Sequence, residues 1–203
     1  MKQLIPKNNY EVYLKRQWKE VDRPYELKLF SKHIDIISKV KIDIDSNDVR
    51  ILCIGSRYGI EVEAFKQLGY TNIKAIDIYP RSKLVMKADM HELPFSNDSF
   101  DFIYTHHSLD HALYPNKAID EMYRVSINNA IWTHTIPFDD YGKEEAIDFD
   151  SSKEIVDFFE KYTKEILYEQ EVKRLKNGNI EPIGFYLPEG WINELRLIIK
   201  ISK

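Results

Sequence analysis

Residues 49–79 read VRILCIGSRYGIEVEAFKQLGYTNIKAIDIY: a strand, a glycine turn, a helix and a second strand ending on an acid. Ile51, Leu52, Cys53 and Ile54 form the short apolar run expected of a parallel strand buried on both faces. Gly55 and Gly59 bracket a tight turn where backbone can approach a ligand with no Cβ in the way. The helix behind it carries Ile60, Ala64 and Leu68 at i, i+4 and i+8, with Phe65 beside them, and Gly69 sits where a helix would end. Residues 72–78 give the next strand, with Asp77 at its tip. A strand, turn, helix and acid in this order suit a nucleoside, its ribose at Asp77 and its polar tail over the turn.

The glycines narrow the choice of nucleoside. A dinucleotide fold wants G-x-G-x-x-G, and the second and third of those positions here hold Arg57 and Ile60. Arginine does not let backbone touch a pyrophosphate, so a nicotinamide dinucleotide is disfavoured. No G-K-[ST] follows, so the turn is not a P-loop. The bland alternative is a bare strand-turn-helix that binds nothing.

Around this stretch lie 203 residues, 43% hydrophobic and 31% charged, with a net charge of −4. That length suits a single domain with a substantial core. The charge gives no general affinity for nucleic acid or anionic lipid, and no basic run creates a local one. Cys53, the single cysteine, has no partner for an internal disulfide and reads as a packed core residue. The first residues, MKQLIPKNNY, lack an apolar signal region, and no stretch reaches the length of a membrane span. The expected setting is the cytoplasm.

Upstream, Tyr10, Leu14 and Trp18 mark a short amphipathic helix that Pro24 interrupts, its aromatics set among Lys15, Arg16, Lys19 and Glu20. Leu27, Phe30, Ile34 and Ile37 form the stripe of a second helix. Residues 1–40 thus read as a helical cap or lid on a core of residues 48–203. Downstream, residues 84–90 read as a third strand, Ser96-Asn97-Asp98-Ser99 as a turn and residues 100–104 as a fourth strand. Pro115 suits the first turn of a helix that faces Ala118, Ile119, Met122 and Val125 inward. Residues 130–135 read as a fifth strand, stopped by Pro137. Ser151-x-x-Glu154 is a capping box ahead of the stripe Ile155, Phe158, Phe159 and Tyr162. Residues 165–175 and 193–201 give the last two strands, with Asn177-Gly178 as a turn signal between them. The alternation of strands and helices predicts a doubly wound α/β sheet around one core.

Four segments in order resemble the class I S-adenosylmethionine-dependent methyltransferases, of the small-molecule group that includes the ubiquinone and menaquinone methyltransferases. They are ILCIGSRYG, AIDIYP, KADMHELPFSNDSFDFIY and SLDHALYPNKAIDEMYRV. The resemblance implies a Rossmann-like sheet of seven strands, helices on both faces, with the last strand antiparallel beside the fifth. It implies S-adenosylmethionine as cofactor and S-adenosylhomocysteine as product. Carried over by position, Gly55, Ser56, Arg57, Tyr58 and Gly59 would lie along the methionine part, and Asp77 would accept from the ribose hydroxyls. Ile78 would pack on the adenine, Asp89 would take its amino group, and the Met90 backbone would read a ring nitrogen. His106 matches a position that touches the methionyl moiety. Two residues depart from the pattern: Cys53 stands where an acid is usual and Arg57 where a glycine is usual. Glu61 is placed either to supply the lost carboxylate or to favour the helix dipole. Asn128-Asn129 replaces a Gly-Gly turn, a mild change because asparagine tolerates left-handed backbone.

Methyl transfer needs the acceptor lone pair in line with the S–methyl bond, and needs a base only where the acceptor must lose a proton. His106, His107, His111 and His134 all fall on segments that end near the cofactor face, and His107 and His134 are the candidates for the base. A metal site from His106, His107, Asp110 and His111 is disfavoured, because adjacent histidines on a strand point apart. The acceptor is expected between the N-terminal aromatics, Tyr10, Tyr13 and Trp18, and a late loop carrying Phe185, Tyr186 and Trp191. His111 is a further candidate contact. Such a pocket suits a small, partly apolar molecule that accepts the methyl on oxygen or nitrogen. No nucleic-acid or membrane partner is expected, and a homodimer stays open. The alternative is a methyltransferase-like protein without catalysis that binds the cofactor or a partner.

Overall fold

The computed structural model describes residues 2–3, 10–19, 27–40, 48–138, 147–172 and 193–203 of the chain. In chain order the elements are β1 (Lys2–Gln3), α1 (Tyr10–Lys19), α2 (Leu27–Ser38), β2 (Ile51–Ile54), α3 (Ile60–Gln67), β3 (Ile73–Asp77), β4 (Met86–Lys87) and β5 (Phe100–His106). After a 3-10 turn at Leu109–His111 come α4 (Pro115–Val125), β6 (Ser126–Phe138), β7 (Ile147–Asp148), α5 (Ser152–Phe159), β8 (Thr163–Val172) and β9 (Asn193–Ile201).

Seven strands form one sheet in the order β4-β3-β2-β5-β6-β9-β8. From β4 to β6 neighbours run parallel, and β9 is antiparallel to both β6 and β8. This is the Rossmann-like, doubly wound class expected from the sequence, with the last strand inserted beside the fifth strand of the sheet. β1 and β7 pair separately.

The period-2 alternation of β2 explains the two cores. Ile51 and Cys53 point to a layer built with Ile36 and Ile37 of α2 and Phe65 of α3. Leu52 and Ile54 point the other way, to Ile119 and Met122 of α4, Trp132 of β6 and Phe159 of α5. Each large apolar side chain so buried contributes about 1.5–3 kcal/mol. The polar groups in the second layer are matched: Trp132 Nε1 donates to Ser126 Oγ at 2.8 Å, and Ser126 Oγ donates to the Met122 carbonyl at 2.7 Å.

Three of the element boundaries that differ from the sequence reading bear on the site. The third strand shrinks to Met86–Lys87. β5 extends through His106, which puts that histidine inside the ladder. β6 runs from Ser126 to Phe138, through the proline expected to stop it. The Thr135 carbonyl accepts from His107 N on the β5 side, so two residues on Pro137 turns its missing N–H to that same side, past the last β5 pairing at His106. No ladder bond is asked of it there. Asn129 has φ +62, the left-handed backbone that asparagine tolerates.

Candidate functional site

The carboxyl ends of the parallel strands meet at one edge, and the glycine turn lies there. Gly55 and Ser56 donate backbone N–H groups to the Ile76 carbonyl at 2.9 and 3.1 Å, which folds the turn onto β3. Gly55 has φ +81, and a Cβ there would sit 2.3 Å from the Ser108 Cβ. Both the backbone and the space therefore demand glycine. Ser108 is fixed in turn, its hydroxyl donating to the Ile54 carbonyl at 2.9 Å. Arg57 takes φ +20, and Gly59 opens α3 with φ +74.

Asp77 ties this turn to the next strand. Its Oδ2 accepts from Arg57 N at 3.1 Å and its Oδ1 from Tyr79 N at 2.7 Å. A carboxylate offers about four acceptor sites, so two remain for a ligand's hydroxyls. Ile78 and Met90, both half-buried, pack against the edge of the apolar core. Between them in the chain comes Asp89, whose Oδ1 accepts from His91 N at 2.9 Å and pairs with His91 Nδ1 at 2.6 Å. Its Oδ2 accepts from the Tyr10 hydroxyl of α1. Burial opposes ionisation of Asp89, but the hydrogen bonds from His91 and Tyr10 outweigh it and hold the carboxyl at about 2. These groups fit an adenosine: two carboxylates at successive strand tips and an apolar shelf between them.

At the other end of the same edge lies a buried polar cluster. α2 contributes Lys32 and His33, β5 and its exit contribute His106 and His107, and β9 contributes Glu194 and Arg196. Lys32 Nζ donates to Glu194 Oε2 at 2.8 Å, and His107 Nε2 stands 2.9 Å from the same oxygen. Arg196 Nε donates to Glu194 Oε1 at 3.2 Å. Burial raises the Glu194 carboxyl, yet His107 and Lys32 outweigh that and keep it far below the usual range. An ionised carboxylate only accepts, so His107 donates its Nε2 proton to Glu194. His107 has φ +45, a left-handed conformation costing roughly 1–2 kcal/mol for a residue with a Cβ. Its ring stacks on His106 at 4.6 Å between centroids. His106 in turn meets His33 edge-on at 4.6 Å. Burial and the nearby Lys32 depress both His33, to about 3, and His106, so both stay neutral at ordinary pH.

The structure separates the two histidines expected as bases. His107 sits at the strand exit beside Glu194. His134 lies in the interior of β6 with no exposed surface, Nδ1 2.7 Å from Thr105 Oγ1 and its ring stacked 4.3 Å from Phe159. Burial pushes it down to about 3. The expected acceptor contacts do not gather at His107 either. Tyr13 is buried, packed edge-on against His91. Trp18 is exposed, its ring edge-on to Tyr79 and under the Arg81 guanidinium. Both stand on the His91 and Tyr79 side of the edge. His111 sits in the 3-10 turn, its Nε2 3.9 Å from Asp110 Oδ2. Phe185, Tyr186, Trp191 and the Asn177-Gly178 turn lie outside the described residues. Among the described residues, no group of three or more His, Cys, Asp or Glu side chains could hold a metal.

Sequence reasoning missed Lys32, His33, Glu194 and Arg196. A signal was present in each case: Lys32 and His33 interrupt the apolar face of a helix, and Glu194 and Arg196 share one face of an otherwise apolar strand.

Residues 52–132 match the family model described as a methyltransferase domain. Solved structures agree with the architecture. The Burkholderia thailandensis 1,6-didemethyltoxoflavin-N1-methyltransferase, with 1,6-didemethyltoxoflavin and S-adenosylhomocysteine bound, superposes with a TM-score of 0.68 at 13% identity, over 100% of this chain and 93% of that one. A Thermotoga maritima S-adenosylmethionine-dependent methyltransferase, a possible histamine N-methyltransferase, gives 0.58 at 18% identity, over 97% and 98%. The [4+2]-cyclase SpnF gives 0.60 at 18% identity, over 70% of this chain and 59% of that longer one. No curated protein matches the sequence. The matched segment carries a methyltransferase-domain pattern, and the seven-stranded sheet has the fold of the class I S-adenosylmethionine-dependent methyltransferases; the ubiquinone and menaquinone subgroup gains no support. The cofactor of this class is S-adenosylmethionine. Among the described residues, no helix is long and apolar enough to cross a membrane.

Proposed function

We propose that this protein transfers the methyl group of S-adenosylmethionine to an oxygen or nitrogen of a small-molecule acceptor. One observation carries the reading. A single sheet edge holds the Asp77 and Asp89 carboxylates at one end and the His107–Glu194 pair at the other, with the glycine turn between them. Bound along that edge, the cofactor supplies an electrophilic sulfonium methyl and leaves as S-adenosylhomocysteine. Asp77 holds the ribose hydroxyls, and Ile78, Asp89 and the Met90 backbone hold the adenine. Gly55 to Gly59 runs along the methionine part, and His106 closes it from the β5 side. His107 Nδ1 takes the proton of a hydroxyl or amine acceptor while Glu194 holds the ring and stabilises the imidazolium that forms. A base so placed contributes about 10²–10⁴-fold, beside the roughly 7–11 kcal/mol available from alignment. α1 caps the edge, touching Asp89 through Tyr10. The acceptor is small and partly apolar; the toxoflavin enzyme that shares the fold holds 1,6-didemethyltoxoflavin, also a small molecule.

A second reading keeps the cofactor site without methyl transfer. Arg57 in the turn favours it, and so does a [4+2]-cyclase on the same fold. Calorimetric titration with S-adenosylmethionine and S-adenosylhomocysteine, with NAD as control, tests both, followed by an acceptor screen. Binding of the first two and not of NAD is expected. Asp77→Ala should lower that affinity by roughly 100-fold or more, since two hydrogen bonds to a charged acceptor contribute about 1.5–3 kcal/mol each. Unchanged affinity in that variant removes the ribose assignment. Binding with no turnover on any acceptor favours the second reading.

A further inference from the structure

Glu61 is a buried carboxylate that the roles above leave unused. It stands in the first turn of α3, two residues past Gly59, and only 8% of its surface is exposed. Helix-opening acids ordinarily face water, where the dipole favours them at little cost. This one turns inward. Its Oε2 makes no hydrogen bond among the described residues, and the nearest ring nitrogen to Oε1, His33 Nε2, is 3.8 Å away. A buried polar atom without a partner is costly, and it persists where something else supplies the partner.

The groups facing Glu61 show what kind of partner is missing. From α2 comes His33, neutral at ordinary pH; from β2 Cys53, whose thiol burial pushes up; from β5 Tyr104, raised likewise; and from β3 the Asp77 carboxylate. Ser56 of the glycine turn lies beside it. None of these is a cation. Burial accordingly raises Glu61 to about 7, with Asp77 adding to the rise against the Ser56 hydroxyl and its own backbone N–H. The site is therefore a carboxylate next to the glycine turn with, among the described residues, an open acceptor oxygen and no counter-charge.

We propose that Glu61 binds the α-ammonium group of the cofactor's methionine end. The inference rests on the cofactor reading above. It gives a residue of α3 the task of fixing the amino-acid tail, at a place where the adjoining strand offers only Cys53. Binding the ammonium supplies both the missing hydrogen-bond donor and the missing positive charge.

The test compares S-adenosylhomocysteine with 5′-methylthioadenosine, which keeps the adenosine and sulfur but lacks the amino-acid tail. Glu61→Gln, nearly isosteric, should weaken S-adenosylhomocysteine by tenfold or more and leave 5′-methylthioadenosine unchanged. In the wild type, S-adenosylhomocysteine affinity should rise roughly five- to tenfold from pH 6 to 7.5 as Glu61 ionises, and it should stay flat in the variant. The ligand-free variant should also melt above the wild type at pH 8, because it no longer buries an uncompensated charge. Equal loss of both ligands makes Glu61 a support of the turn and overturns the inference, as does unchanged affinity for S-adenosylhomocysteine or a lower melting temperature at pH 8. If neither ligand binds the wild type, the cofactor reading falls and takes this inference with it.

Discussion

The two faces of the sheet handle buried histidine in opposite ways. On the α4 and α5 face, His134 is surrounded by Trp132 and Phe159; its Nδ1 meets one threonine hydroxyl, and its Nε2 has no hydrogen-bond partner among the described residues. On the α2 face, His33, His106 and His107 stand together with Lys32, Glu194 and Arg196 at the strand ends. The first arrangement buries a neutral ring and no charge. The second desolvates several charges at once, and interiors repay that only where the geometry is good. Its position at the carboxyl edge, beside the glycine turn, gives a reason to keep it.

The largest effect should come from Glu194, which holds three cationic or histidine partners. Glu194→Ala leaves Lys32 and Arg196 without their shared carboxylate, and about 3–5 kcal/mol of stability should be lost. Denaturant unfolding measures it, and a loss under about 1 kcal/mol would show the cluster to be loosely organised. Next come the two histidines. His134→Ala opens a cavity beneath Phe159 and should cost about 2–4 kcal/mol, read as a lower midpoint of unfolding. His107→Ala should instead lower kcat by about 10²-fold or more with a smaller change in stability. If His134 governs turnover and His107 stability, the contrast between the faces collapses.

Acid should then act on both faces at once. His33 and His134 have folded values of about 3, below the unfolded value near 6.5, so the unfolded chain binds more protons in that window. The stability they carry is present above about 6.5 and is lost as pH falls toward 3, by on the order of 1.4 kcal/mol for each group and each pH unit across that window. His134→Phe should flatten part of that loss in a pH series of melting temperatures; an unaltered slope would assign it elsewhere. The smallest effect concerns Tyr10, whose hydroxyl occupies Asp89 Oδ2. Tyr10→Phe frees that oxygen for the adenine amino group and should tighten nucleoside binding by a few-fold in titration. Weaker binding would mean that α1 supports the site instead of competing for it.

The order of elements, the class of the sheet and the position of Asp77 were legible in residues 49–79, because strand, turn and helix are local and each carries its own periodicity. The glycine requirement at Gly55 was legible as well, although its physical cause is the distant Ser108. Pro137 misled, since a proline reads as a stop until the missing strand beside it is known.

What the chain by itself determined is therefore the α/β fold and the Asp77 and Asp89 carboxylates at one end of the edge, both written in contiguous motifs. Only the tertiary structure decided the polar cluster at the other end. Lys32, His107 and Glu194 are separated by up to 162 positions yet share one carboxylate oxygen. Nothing local marks such a group: its members are ordinary polar residues until burial strips their water and leaves them one another. The same holds for Glu61, in the sequence one more helix-opening acid. In the fold it faces inward with one oxygen unmatched, because α2 and the strand tips close over it.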